Sequence, residues 1–149
     1  MNIRNRLKTH ASLLRKIQIT EQQLKGLSEG ITLAATTDPS RDSVQGGEIG
    51  DRLPLKLHQI ETIRKELESL YVLRDQEHDE LWKIVGSLTD VFESCVLRSY
   101  YFSLQGREEV AQQLFGNEED FQQRRKYYLN RVSKVHTKAM NRLESASKD

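Results

Sequence analysis

The sequence predicts an all-α chain: an N-terminal antiparallel helical hairpin, coiled-coil-like, followed by a C-terminal helix-turn-helix with a long last helix. Three observations predict it. Apolar residues return every three or four positions through two long stretches. Between Leu97 and Leu143 an apolar, Tyr-rich turn, a short Glu109-Val110-Ala111 segment, a Gly-Asn break and a basic segment follow one another. The composition, 36% hydrophobic and 30% charged, suits long amphipathic helices better than one deep core.

The first helix is carried by Ile3, Leu7, Leu14, Ile17, Leu24 and Ile31, with Leu13 and Leu27 widening the stripe. His10, Glu21 and Ser28 fill the remaining seam positions, and the helix is expected to end near Gly30. Residues 33–52 then change character, with Thr36-Thr37-Asp38-Pro39-Ser40, Gly46-Gly47, Gly50 and Pro54 just beyond. A mobile connector is expected there, a flexible loop over 32–53.

The second helix follows from Ile60, Ile63, Leu67, Leu70, Leu81, Ile84, Leu88 and Val91, with Arg74 and Glu77 as a polar gap. Two heptad helices joined by a loop fold back on each other or associate with a second copy, and the heptads fit both. Gly86, Ser87 and Thr89-Asp90 offer a stop and a fresh N-cap, which sets expected domains of 1–88 and 89–149. Val91, Phe92, Cys95, Val96 and Leu97 form the next apolar face, and 103–106 reads as a turn.

A short helix over 107–115 is expected to end at Gly116-Asn117 in a left-handed cap. The last helix is expected over 118–146, its first-turn acids Glu118, Glu119 and Asp120 favouring the positive end of the dipole. At helical spacing Tyr128, Val132, Val135, Ala139 and Leu143 share one face, opposite Lys126, Tyr127, Asn130, Lys134, Lys138 and Asn141. One side is buried and the other is offered outward.

The 23 basic and 22 acidic residues give a net charge of +1, which hides a local asymmetry. Arg124, Arg125, Lys126, Arg131, Lys134, Lys138 and Arg142 lie in a segment without acids, and the acids crowd just upstream. Cations concentrated on one helix behind a helix-turn pair are what binding to phosphates and base edges requires.

Other chemistries find little support. The single Cys95 allows no disulfide within the chain, reads as a small buried hydrophobe, and fits a reducing, cytoplasmic setting. His10, His58, His78 and His136 have no metal-ligand spacing, and His136 is expected to pack against the turn. The carboxylates form no array with a nucleophile, and Gly46-Gly47 lacks the Lys and Ser/Thr of a phosphate loop. No enzyme activity, no cofactor and no metal are expected. The N-terminus lacks the apolar run of a signal peptide, and no later segment would span a bilayer, so a soluble protein without a membrane partner is expected.

The segment Leu97-Arg98-Ser99-Tyr100-Tyr101-Phe102, then Glu109-Val110-Ala111-Gln112-Gln113-Leu114-Phe115-Gly116, resembles the helix-turn-helix of region 4 of sigma-70 factors. Tyr101 to Ala111 keeps the family's interval, and residues 132–143 look like its recognition helix. With the helical hairpin and Asp42-Ser43-Val44-Gln45, the layout is similar to small phage-encoded regulators, the ArpU and RinA type of late-operon activators of Gram-positive phages. About ten residues more than the family pattern separate Gly116 from Val132, so 118–126 either extends the recognition helix or forms a separate turn. Arg107 stands where relatives often carry Trp.

The resemblance implies a transcriptional regulator that binds double-stranded DNA, activates late genes beside host RNA polymerase in the bacterial cytoplasm, and uses its hairpin for a homodimer or a polymerase contact. Asn130, Arg131 and Lys134 are assigned to base edges, Arg124, Arg125, Lys126 and Lys138 to phosphates, and Tyr127 to either. Tyr101 and Tyr128 are assigned to the core. A small terminase subunit, which forms rings, and a helical protein-interaction module are the competing readings.

Overall fold

The computed structural model describes residues 1–35 and 39–148, with side chains described over 1–30 and 53–147. Five helices account for the regular structure of the described residues: α1 (Ile3–Ala35), α2 (Pro39–Gly86), α3 (Val91–Tyr101), α4 (Arg107–Phe115) and α5 (Arg125–Lys148). The chain is all-α, as its apolar periodicity predicts. Among the described residues no helix is long and apolar enough to cross a membrane.

The expected loop over 32–53 is mostly helical. α1 passes through Gly30 to Ala35 and α2 begins at Pro39, while residues 36–38 lie outside the described residues. Proline is tolerated at a first helical position because its missing N–H would have no helical partner there. Each glycine costs a helix about 1 kcal/mol relative to alanine, a sum that continuing hydrogen bonds can offset. The side chains of Asp42-Ser43-Val44-Gln45 lie outside the described ones.

Two compact units divide the chain, residues Met1–Arg15 with Arg74–Asp149, and residues Lys16–Leu73. The division falls inside the two long helices. In the smaller unit Ile17, Thr20, Ile60, Leu67 and Leu70 are buried. Thr20 takes an inward place by returning its hydroxyl to the Lys16 carbonyl at 2.7 Å, while Glu21 stays exposed and accepts from the Tyr71 hydroxyl.

The larger unit has two apolar clusters. One gathers Ile3, Leu7 and Ala11 of α1, Leu81 and Val85 of α2, Leu97 and Tyr101 of α3, and Ala139, Met140 and Leu143 of α5. The other gathers Val96, Val110, Ala111, Phe115, Phe121, Tyr128 and Val132. Asp90 caps α3, its carboxylate accepting from the Phe92 and Glu93 amides, as the Thr89-Asp90 signal predicts. Only part of the expected apolar face is inside: Val96 and Leu97 are buried, but Val91 is 72% and Phe92 46% exposed.

Two details differ around α4. In the turn after α3, Leu104 takes a left-handed conformation at φ 56°, its side chain partly buried against the first cluster. That contact offsets a conformation unfavourable for a residue with a branched side chain. Gly116 is right-handed at φ −62°, not left-handed; glycine is required because a Cβ would collide with the Gln112 carbonyl oxygen.

Candidate nucleic-acid interface

The last helix starts at Arg125 rather than at residue 118. Residues 116–124 form successive turns, with Glu118 N–H donating to the Phe115 carbonyl, Phe121 N–H to Glu118, and Arg124 N–H to Asp120. Burial of Phe121 against Phe115 and Tyr128 accounts for the break, since the turns direct that ring into the core. The acids expected to favour the helix dipole therefore precede the helix, and none lies in its first turn.

Behind the outward face, α5 is held along its whole length. Tyr128, Val132, Ala139, Met140 and Leu143 are buried, and Val135 is half-buried. The Tyr101 hydroxyl lies 2.8 Å from His136 Nε2, and Arg142 reaches the buried carboxylate of Glu93 at 3.2 Å. Arg4 donates to Glu144 at 2.7 Å, joining the start of α1 to the end of α5. Arg107 donates to the Ser133 hydroxyl at 3.3 Å, linking α4 to α5. These bonds fix rotation of the helix about its own axis, which apolar contacts alone leave softer.

All eight sequence-predicted residues are exposed: Arg124, Arg125, Lys126, Tyr127, Asn130, Arg131, Lys134 and Lys138. Their partners differ. Arg124 pairs with Asp120 at 3.3 Å and lies over the Tyr127 ring at 4.1 Å; Arg125 pairs with Glu108 at 3.1 Å. Arg131 lies over the Phe115 ring at 5.0 Å without a carboxylate among the described residues. Lys126, Lys134 and Lys138 have no ion-pair partner among the described residues, so their charge is uncompensated. No family model, curated protein or solved structure matches this chain.

Arg131, Lys134 and Lys138 also line an open depression of about 540 Å³ together with Ser133, Val135, Thr137 and Asn141. Ser133 and Thr137 are not among the predicted residues, although each follows a predicted one, Asn130 and Lys134, by three positions, a spacing that signals the same face. The roles of Glu108 and Asp120 were likewise not legible, because both lie outside α5 and meet its cations only through folding.

The Tyr128 hydroxyl donates to Asp120, which also accepts from Arg124. That bond, followed by burial and the negative charge, pushes the Tyr128 hydroxyl up to about 12. The same bond holds Asp120 below the usual carboxylate range, with the Arg124 bond adding to it. His136 is held below the ordinary histidine value by burial first, then by Arg4 and Lys8. It is neutral near pH 7, so the cationic face is made by Lys and Arg alone. Among the described residues no group of three or more His, Cys, Asp or Glu is arranged to hold a metal ion.

Proposed function

We propose that this chain is a non-enzymatic, double-stranded-DNA-binding transcriptional regulator whose α3, α4 and α5 act as a helix-turn-helix. One observation carries the reading: the outward side of α5 presents Lys126, Arg131, Lys134 and Lys138 without carboxylate partners among the described residues. Its opposite side is buried in two clusters. Affinity for DNA comes mainly from cations near phosphates, and a helix-turn-helix lays its recognition helix in the major groove with the opposite side packed on the domain.

Phosphate oxygens take Arg124, Arg125, Lys126 and Lys138, and base edges take Asn130, Arg131 and Lys134. Ser133, Thr137 and Asn141 supply neutral donors within the same depression. The ion pairs of Arg124 and Arg125 are exposed, so phosphates can replace Asp120 and Glu108 as partners at small cost.

The resemblance to phage late-operon activators extends this reading to gene activation beside host RNA polymerase. The N-terminal helices then form an antiparallel hairpin that dimerises or touches polymerase. Within the smaller unit, Glu21 meets Tyr71 while Gln23, Leu27, His58 and Ile63 line one depression, an order that supports antiparallel pairing. Selection of bound fragments from a phage or host genome tests the function. An enriched site upstream of late genes supports it, and binding without sequence preference at about 0.15 M salt refutes it. A solution mass corresponding to a ring of eight or more subunits points instead to a packaging protein.

A further inference from the structure

Four rings meet in the larger unit: His10 of α1, His78 and Trp82 of α2, and Phe102 at the end of α3. His10 Nε2 lies 3.2 Å from His78 Nδ1. The Phe102 ring centre is 5.2 Å from each imidazole and 5.1 Å from Trp82, which in turn stacks on His78 at 6.1 Å. His10 is 2% exposed, and its Nδ1 is buried without a hydrogen-bond partner among the described residues.

Tautomers follow from that unpartnered atom. A proton on Nδ1 would be a buried donor with no acceptor, so the neutral ring carries its proton on Nε2 and donates it to His78. We propose that His10 and His78 form an acid-sensitive latch joining the start of α1, the end of α2 and the end of α3. A second proton on His10 must occupy the buried, unpartnered Nδ1. A second proton on His78 must occupy the acceptor Nδ1, which sets two N–H groups against each other at 3.2 Å. Either proton opens the pair.

The charged neighbours make the latch sensitive rather than tolerant. From α1, Arg6 is bound to Glu77 and Glu80 at 3.0 and 3.1 Å. From α2, Arg74 opposes a positive His10 while Glu77 favours it, and Glu77 already accepts from Arg6. From the α3 side, the Arg98 guanidinium lies over Trp82 at 4.1 Å. Burial, then His78, holds His10 below the ordinary histidine value, in keeping with this setting. Phe102 directly follows Tyr101, whose hydroxyl meets His136 of α5, so opening the latch loosens the part of α3 that backs the cationic helix.

Trp82 is the only tryptophan of the chain and stands beside His78. Its emission in the full-length protein, followed from about pH 8 to about pH 5, should be quenched in a transition centred below about 6.5, with a lower urea midpoint on the acid side. H78F should abolish the transition, and H136Q should retain it. Flat wild-type emission across that range overturns the latch, as does an unchanged transition in H78F. If H78F does not fold, the Cε1 proton of His10 in the wild-type NMR spectrum decides: titration below the ordinary value supports the latch, and titration at or above it refutes it.

Discussion

Replacing Lys126 by alanine should lower DNA affinity uniformly across sequences and reduce the salt dependence by about one phosphate contact. Four side chains are assigned to phosphates: Arg124, Arg125, Lys126 and Lys138. Each phosphate contact contributes about −0.9 to the slope of log affinity against log salt, so the wild-type slope is about −3.6. A fourfold rise in salt should then weaken wild-type binding about 150-fold, and K126A binding about 40-fold, by the same relation. Lys126 is a cleaner probe than Arg124 or Arg125, because those two hold carboxylates that they must first exchange. Fluorescence anisotropy on one specific and one unrelated duplex, at about 50 and 200 mM salt, reads both quantities. An unchanged slope in K126A, with the helix content retained, would falsify the assignment of this face to DNA.

Other outcomes follow from particular contacts. E108Q frees Arg125 and should tighten binding by a few-fold at low salt, since an exposed pair is worth about 0–1 kcal/mol; weaker binding would contradict the assignment of Arg125 to phosphate. L7A removes a fully buried side chain that packs with Met140 and Leu143, and should cost about 2–5 kcal/mol in urea unfolding of the larger unit. For the same reason a fragment of residues 89–149 should not fold stably alone, and a cooperative thermal transition in that fragment would show that its core needs no N-terminal partner. Y101F removes the hydroxyl that meets His136 and should cost about 1 kcal/mol, with the change absent in an H136F background. His136, held below its unfolded value of about 6.5, binds fewer protons folded than unfolded at mildly acid pH. Its contribution is therefore complete above that value and should be lost as pH falls; urea midpoints that rise on acidification would oppose this.

Much of the fold was legible because helix periodicity and capping are local. Tyr128, Val132, Ala139 and Leu143 are buried where their spacing puts them, and Asp90 caps α3 because a carboxylate two and three residues ahead of free amides needs no distant partner. Local rules misjudged 32–53, and for 118–126 they left a helical extension and a separate turn both open, of which the structure takes the turn. The glycine-rich stretch is largely helical despite its composition, and the acidic start expected of the last helix turns instead, because Phe121 packs inward. The exposed side of α5 was readable as a charge pattern, but which cations have partners was not, because Asp120 and Glu108 come from other segments.

By itself the sequence determined that this chain is helical, where α3 and α4 lie, and that its last helix is cationic on one side and apolar on the other. Those properties follow from residue order within a few turns. Only the tertiary structure decided that the start of α1 and the end of α2 complete the core beneath α5, that Glu93 is buried under Arg142, and that His10 meets His78. These contacts join residues 49 to 140 positions apart or fuse clusters from four helices. Burial and charge pairing at that range depend on chain-wide packing, which no local spacing records.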